Sequence, residues 1–588
     1  MLFLVLAIQL VLAQEQSNQI KRLEVDGYYR FFGFHRNVNN LYGSTELPSV
    51  FQANDDFNSP TVNLNLKLTT SSKSKLNIQF FFFDPLNSIN ENKNEFRLGR
   101  KSVSIGGGLN TDIGSFDINF GGISYLRISD LSLSSPKQVR NTLFDRNAWT
   151  YVWEPAVQYR NYHLLSEYKR DENFGKRDVN GLIINGRGLS NGFSFMFFNG
   201  RTPFNIVDFK DELTALKIQR KLTLNSLSFY LIRSNGVDDL SNGLNFNNFI
   251  YGGEYESLIS EWKIKAEVAF SKYYFERGGI NEKDMAFILN INPPVRTSRV
   301  PLNAEIYYIG NNFVNIHSSI INSSVQNFSS ESSALNGGDI ADGARPYGNV
   351  MTPMHLKSNN RYGLKLNSDF GIKNLKFNLG YAISKSVDLD TNLVTFFHKV
   401  TGLFYSRVDQ FQQQTGPFNN LTTFFRGYYE KVYVNSNYDY NSNNLFTTSL
   451  VNIKYQNKLL EKDLFIFYLG EYQSIQNNSI PFPNKKSFVK TYFHEFDLYY
   501  HIMDDVALIG YFGKEVIKGS KDVGYEHNIF ATNLINGVGT AIGTGVDISI
   551  TPKSNLYLRY KNVDYLDKNH ENYFYNGYEL SAEFKVIF

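Results

Sequence analysis

The stretch NGYELSAEFKVIF, residues 576–588, alternates almost without a break. Tyr578, Leu580, Ala582, Phe584, Val586 and Phe588 are apolar, while Glu579, Ser581, Glu583 and Lys585 between them are polar or charged. Successive side chains of a strand point to opposite faces, so this segment reads as a strand with one greasy face and one charged face. A sheet built from such strands needs an apolar medium on one side and a wet one on the other.

The same period of two recurs far upstream. Val62, Leu64, Leu66 and Leu68 alternate with Asn63, Asn65 and Lys67; Ile264, Ala266, Val268 and Phe270 with Lys263, Lys265 and Glu267. Leu375, Phe377 and Leu379 alternate with Lys376 and Asn378, and Leu556, Leu558 and Tyr560 with Tyr557, Arg559 and Lys561. Period-two runs signal strands. A soluble sheet of this size would need helices or a second sheet over its apolar face, and no convincing amphipathic helix is apparent. A closed barrel in lipid satisfies both faces and removes the sheet edges. The expected fold is therefore all-β: a single large antiparallel transmembrane β-barrel over residues 25–588. The alternating runs number about 26, with a range of 22–26.

The gaps between runs supply an independent test. Long gaps at 36–60, 84–100, 130–150, 474–488 and 514–539 alternate with short ones at 70–75, 110–115, 187–191, 502–504 and 552–554. Asn161 reads as a bare turn between two strands, and 408–420 is a long gap where a short one belongs. Outer-membrane barrels pair short periplasmic turns with long extracellular loops. On that scheme both termini are periplasmic, and the short gaps share their rim.

Composition agrees. Of 588 residues, 15% are aromatic, with 50 Phe and 38 Tyr but 3 Trp, which favours strands. The net charge of +3 contains no basic tract, so no nucleic-acid partner is expected. Cys is absent, which excludes disulfides, thiolate metal sites and a lipidated cysteine. Leu2–Leu12 is an apolar run too short to span a bilayer, and Val11-Leu12-Ala13 before Gln14 reads as a signal-peptidase site. Residues 1–13 are thus expected to be a cleaved signal peptide and 14–24 a short periplasmic segment, too short for a plug domain.

The end of the chain resembles the C-terminal assembly signal of Gram-negative outer-membrane barrels, carried by Tyr578, Leu580, Phe584, Val586 and Phe588. The Asn/Phe/Tyr-rich composition and Gln14 directly after Ala13 resemble porin-like barrels of the Bacteroidota. The resemblance implies an outer-membrane location, with outer-membrane lipid and the barrel-assembly machinery as partners.

No catalytic, cofactor-binding or metal-binding residue is expected, and no cofactor. The densest constellation is His494, Glu495 and Asp497, but alternation turns His494 away from both acids. His163 and Glu167 fit a solvated wall equally well. Asp339 and Asp342 sit between glycines, yet their spacing does not match an EF-hand. Ser104–Thr111 is Gly-rich but lacks the Lys of a phosphate loop. Alternation assigns Lys67, Arg127, Arg160, Lys217, Lys265, Lys376, Arg559 and Lys585 to the pore lining, and basic residues outnumber acidic ones on the strands whose faces are clear. That excess raises a weak anion preference. Ser129–Trp153 is an outside gap rich in Leu and aromatics, expected to fold into the mouth with Lys137, Arg140 and Arg146 at a constriction. Asn311–Ser358 and Lys514–Gly539 are the other candidates for occlusion. The expected function is a porin-like channel for passive diffusion of small hydrophilic solutes, narrowed by inward loops. The alternative is a barrel subunit of a larger transport or secretion complex, its lumen filled by a plug or lipoprotein partner, because wide bare barrels leak.

Overall fold

In the computed structural model the described residues are 22–39, 49–53, 62–69, 74–82, 101–134, 144, 155–164, 176–201, 209–238, 244–276, 280–294, 301–318, 320–321, 357–388, 394–399, 429–434, 444–477, 487–519, 523–525, 536–569 and 574–588. The two expected N-terminal segments, except Arg22–Glu24, lie outside them.

Twenty-two antiparallel strands close into one barrel. They are β1 (Arg22–Asn39), β2 (Val62–Thr69), β3 (Ser74–Phe82), β4 (Lys101–Thr111), β5 (Gly114–Gly121), β6 (Arg177–Arg187), β7 (Phe193–Arg201) and β8 (Phe209–Lys221). β9 (Asn225–Asp238), β10 (Leu244–Ile259), β11 (Trp262–Phe275), β12 (Ile280–Asn292), β13 (Leu302–Ile309), β14 (Arg361–Ile372) and β15 (Leu375–Ser386) follow. β16 (Asn444–Leu459), β17 (Lys462–Asn477), β18 (Ser487–Met503), β19 (Val506–Gly519), β20 (Asn536–Thr551), β21 (Ser554–Asp567) and β22 (Phe574–Ile587) complete the ring. Each strand pairs with the next in sequence, and β22 pairs with β1 from Tyr28↔Ile587 to Asn39↔Asn576. The seam is finished by reciprocal backbone bonds between Gly27 and Phe588, of 3.1 and 3.0 Å. Two short strands extend the wall away from the termini: Ser49–Ala53 on β1 and Ser124–Leu126 on β6.

All two-residue connections between the barrel strands lie on the rim of the termini. Residues 112–113, 504–505 and 552–553 are two-residue turns, and on the same rim β3 begins at Ser74, inside the expected turn at 70–75. The opposite rim carries the long connections, among them 122–176, 310–360 and 387–443.

The strand number is a correction: 22, at the lower end of the expected range, instead of 26. Two of the extra strands were read around Asn161. That residue lies in the helix α1 (Pro155–Leu164), which no amphipathic period announced. The other two are Val394–Lys399 and Tyr429–Val434, which pair with each other and with Val523–Tyr525 in a separate three-stranded sheet. The anomalous gap 408–420 falls between them, outside the described residues.

The barrel is inside-out. On β19–β22 the exposed side chains are Leu508, Phe512, Ile542, Leu558, Tyr560 and Leu580, whereas Glu515, Asp547, Arg559, Lys561, Glu583 and Lys585 are buried. Leaving apolar residues on a continuous outer belt is favourable in lipid and costly in water, and the buried charges face the interior. Arg30 on β1 meets Glu583 on β22 at 2.7 Å across the seam, inside the wall.

Candidate functional site

The lumen is where the inner faces of the strands converge, charged on much of the wall and apolar over β6–β13, and the chain itself enters it. After Ser124–Leu126 the chain turns in, and Ile128–Ser134 packs on the inner wall of β6–β13. Leu131 and Leu133 are fully buried with Ile183, Phe198, Leu213, Ile232, Ile250 and Ile288. Buried backbone groups need partners, and the wall supplies them. The Leu131 amide donates to Glu267 at 3.2 Å, and the Lys217 ammonium donates to the Ile128 carbonyl at 3.0 Å. Glu254 lies between Lys217 and Lys265, bonded to both and to the Ser228 hydroxyl. Tyr230 donates to Glu267 at 2.8 Å.

A second inward segment locks the first. Asn315 Nδ2 donates to the Leu131 and Ser132 carbonyls at 2.7 and 2.8 Å, and Asn248 on β10 donates to the Val314 carbonyl at 3.0 Å. Farther along this connection, buried Lys357 meets Glu305 at 3.1 Å, with Asp130 at 4.0 Å. Burial of Lys357 lowers its pKa, but the Glu305 and Asp130 carboxylates outweigh that and hold it charged.

The other half of the lumen holds Phe144 and α1. Pro155 opens the helix, at the first position, where its missing N–H is not needed. Tyr159 is fully buried, stacks on Tyr499 at 4.1 Å between centroids and donates its hydroxyl proton to Asp547. Arg559 pairs with Asp547 at 2.6 Å and donates Nε–H to the Phe144 carbonyl at 2.9 Å. Thus one buried ion pair on adjacent strands holds two separate inward segments. Lys454 donates to the Tyr162 carbonyl at 2.8 Å and lies 4.1 Å from the Tyr162 ring centre. The His163 ring bonds the Asn374 carbonyl at 3.0 Å. Burial holds this imidazole below its usual range; the carbonyl opposes that, and the Lys376 and Lys454 ammonium groups add to it.

The inner face of β20 makes room for this packing. Gly537, Gly539, Ala541, Gly543 and Gly545 succeed one another at every second position before Asp547. A Cβ on Gly543 would stand 2.5 Å from Phe144 Cζ, and one on Gly545 would stand 2.6 Å from Arg559 Cδ. The sequence signal was VGTAIGTG (538–545), a strand whose every second residue is Gly or Ala, which marks a close approach. Neither this stripe nor Tyr159 was among the expected site residues.

Arg559 and Lys585 stand on the inner face and are buried; Lys217 and Lys265 reach Glu254 from it. Lys376 opposes buried Lys454 on that face, and Lys67 meets Asp26 at 2.6 Å near the terminus rim. Arg127 follows the short strand and pairs with Asp130. Arg160 is a correction: it sits on α1, half exposed, 3.5 Å from Asp463. The excess of basic charge is also corrected, because Glu254, Glu471, Glu495, Asp497, Glu515 and Asp547 are buried on the inner faces as well. Glu254 pairs with Lys217 and Lys265, and Asp547 with Arg559; with both signs on the inner face, the anion preference loses its basis.

His494 bonds Tyr468 on the outer face, opposite in sense to buried Glu495 and Asp497. Ser104–Thr111 is ordinary strand within β4. Lys514–Gly539 gives its ends to β19 and β20. Lys137, Arg140, Arg146, Glu167, Asp339 and Asp342 lie outside the described residues. Tyr578, Leu580, Phe584 and Val586 share the outer face of β22, and Phe588 is 42% exposed.

No protein family and no curated protein matches the chain. Among solved structures it is similar to a BenF-like porin from Pseudomonas fluorescens, at 8% identity over 97% of this chain and 100% of that one, with a TM-score of 0.31. It is also similar to an anion-selective porin from Comamonas acidovorans, at 11% identity over 63% and 90%, TM-score 0.28. A third is the siderophore receptor PirA from Acinetobacter baumannii, at 10% identity over 97% and 81%, TM-score 0.43.

Proposed function

We propose that the chain is a porin-like channel of a Gram-negative outer membrane, passing small hydrophilic solutes by passive diffusion through a lumen that its own segments narrow. One observation carries this reading: the inner wall is charged and the segments filling it are held by side-chain contacts, Arg559–Asp547 to Phe144 and Tyr159, Glu267 to Leu131. Polar contacts can part and let water through, which places the path beside Phe144 and Tyr159 and not along the apolar cluster of β6–β13. The apolar belt and a rim of short turns beside the termini fit an outer-membrane setting with the termini in the periplasm. Lys67, Lys217, Lys265, Lys376, Arg559 and Lys585 then belong to the pore lining. Tyr578, Leu580, Phe584, Val586 and Phe588 act as the assembly signal. Gln14 after Ala13 and the Asn/Phe/Tyr bias favour a Bacteroidota source.

The test is single-channel conductance of the purified chain in planar bilayers, alone and with Arg559→Leu. Small, fluctuating conductance that grows in the variant supports the channel. Silence from both sinks it. A second reading, a subunit of a transport or secretion complex capped by a plug or lipoprotein partner, draws on the extra sheet of Val394–Lys399, Tyr429–Val434 and Val523–Tyr525, which is not part of the barrel wall. Silence together with a stoichiometric companion in mild-detergent purification would favour it.

A further inference from the structure

Strands β9–β12 carry a cationic row on their outer face. Arg233 opposes Phe249, Phe249 opposes Lys272, and Lys272 opposes Lys283. Their neighbours Ile232, Ser234, Asn248, Ser271 and Tyr273 are buried inward, so alternation turns the row out, toward the belt. It lies near the rim opposite the termini, a few residues from the ends of these strands.

The rows on either side differ sharply in chemistry. Toward the middle of the barrel lie Leu231, Tyr251, Phe270 and Met285 in register, all exposed, with Tyr251 and Phe270 stacked at 5.3 Å. Toward the rim lie Asn235, Asn247, Tyr274 and Asn281, also in register. With the cationic row these residues, Leu231 and Asn235 excepted, line a groove of about 980 Å³ on the outside of the wall.

Directly opposed like charges destabilise a sheet, and Lys272 faces Lys283. Among the described residues no carboxylate forms an ion pair with Arg233, Lys272 or Lys283. Glu212, on the same outer face, opposes Asn235 one row nearer the rim. Asp284 lines the groove, but its carboxylate accepts from the Met285 and Asn312 amides at 2.7 and 2.9 Å. The inner carboxylates lie behind the wall. Among the described residues the row thus has no ion-pair partner, and an anion from outside the chain would complete it.

We propose that this groove binds the phosphorylated headgroup of a membrane lipid. The phosphate oxygens accept charge-assisted hydrogen bonds from Arg233, Lys272 and Lys283, for which a phosphate is the natural acceptor. The acyl chains lie along Leu231, Tyr251, Phe270 and Met285. Polar headgroup atoms beyond the phosphate meet the Asn and Tyr row. The order apolar, cationic, amide along the barrel axis is that of such a lipid from tail to head. The site stands whether or not the barrel conducts.

The experiment is native mass spectrometry of the full chain in detergent, titrated with a phosphatidic acid and with a phosphatidylcholine of the same acyl chains. Phosphatidic acid adducts should exceed phosphatidylcholine adducts by at least about tenfold, a difference of about 1.4 kcal/mol. The triple variant Arg233→Gln, Lys272→Gln and Lys283→Gln should bring both lipids to the same level while keeping the heat-modifiable mobility of a folded barrel. Should the triple variant fail to fold, Lys283→Gln alone should still weaken phosphatidic acid selectively. Equal binding of the two lipids, or undiminished selectivity in the folded variant, overturns the proposal. Displacement of phosphatidic acid by inorganic phosphate overturns it too, because the ligand is then a free anion.

Discussion

Arg559 is a single side chain with three tasks: it neutralises Asp547, caps the Phe144 carbonyl and, through Asp547, holds Tyr159. Removing one partner of a buried pair leaves the other charge uncompensated, which costs about 3–5 kcal/mol. Arg559→Leu should therefore lower the urea midpoint of the detergent-solubilised barrel, and Arg559→Leu with Asp547→Leu should regain much of the loss. If the double variant is as weak as the single one, desolvated charge is not what governs this contact. His163 is the second informative residue. Its Nδ1 is buried without a hydrogen-bond partner, and burial holds the ring neutral below the ordinary imidazole pKa of 6.5. The undocked ring then binds protons more readily than the docked one, so docking of α1 is fully present above about pH 6.5 and weakens as pH falls below that value. Conductance should rise between pH 7.5 and 5.5 in the native chain and stay flat in His163→Gln. An equal rise in both would assign the effect to other groups.

At the scale of elements, β20 and α1 depend on each other. The glycines of β20 leave a trough into which Phe144 fits beside Arg559, so Gly543→Val should expel the ring. Overpacking of this kind costs about 1–3 kcal/mol. The conductance of Gly543→Val should exceed that of the native chain, and an unchanged trace would mean that Phe144 does not narrow the path. The strands were legible because their faces meet opposite media, which forces a period of two on Leu556–Lys561 and on Tyr578–Val586 alike. The inner positions Arg559 and Lys585 followed directly. α1 was not legible, since its buried residues Gln158, Tyr159, Tyr162 and His163 mix polar and aromatic side chains and leave no apolar stripe, and its tyrosines mimic a girdle. Pro155 was the available clue, as proline does not sit within a central strand. The three-stranded sheet misled the count for another reason: its strands carry the same local pattern as the wall, and pairing partners are not written in local pattern.

At the scale of the molecule, the ring closes on β1 and β22, and Phe588 forms the final pair of backbone bonds with Gly27. Its side chain lies over Gly27, where a Cβ would come within 3.0 Å of the Phe588 ring. Phe588→Ala should reduce the amount of heat-modifiable barrel reaching the membrane in cells, while barrel that does form should unfold at nearly the native urea concentration. Full assembly of the variant would dismiss the aromatic end as a signal. That seam also has a kinetic meaning. Every other pairing in the barrel wall joins strands consecutive in the ring, so hairpins can zip locally and fast, whereas Tyr28 and Ile587 are 559 positions apart. Bringing ends so distant together from an open coil costs about 5–6 kcal/mol in the logarithmic part of the closure entropy alone. The economical route is sequential growth of a curved sheet, with the seam last. Until then the growing sheet has two bare edges that already match each other, and each matches the opposite edge of any second copy equally well. Ring formation is thus a race between cyclisation and chain-to-chain polymerisation, decided by local concentration, and a cell that makes this barrel must keep nascent copies apart until each has bitten its own tail.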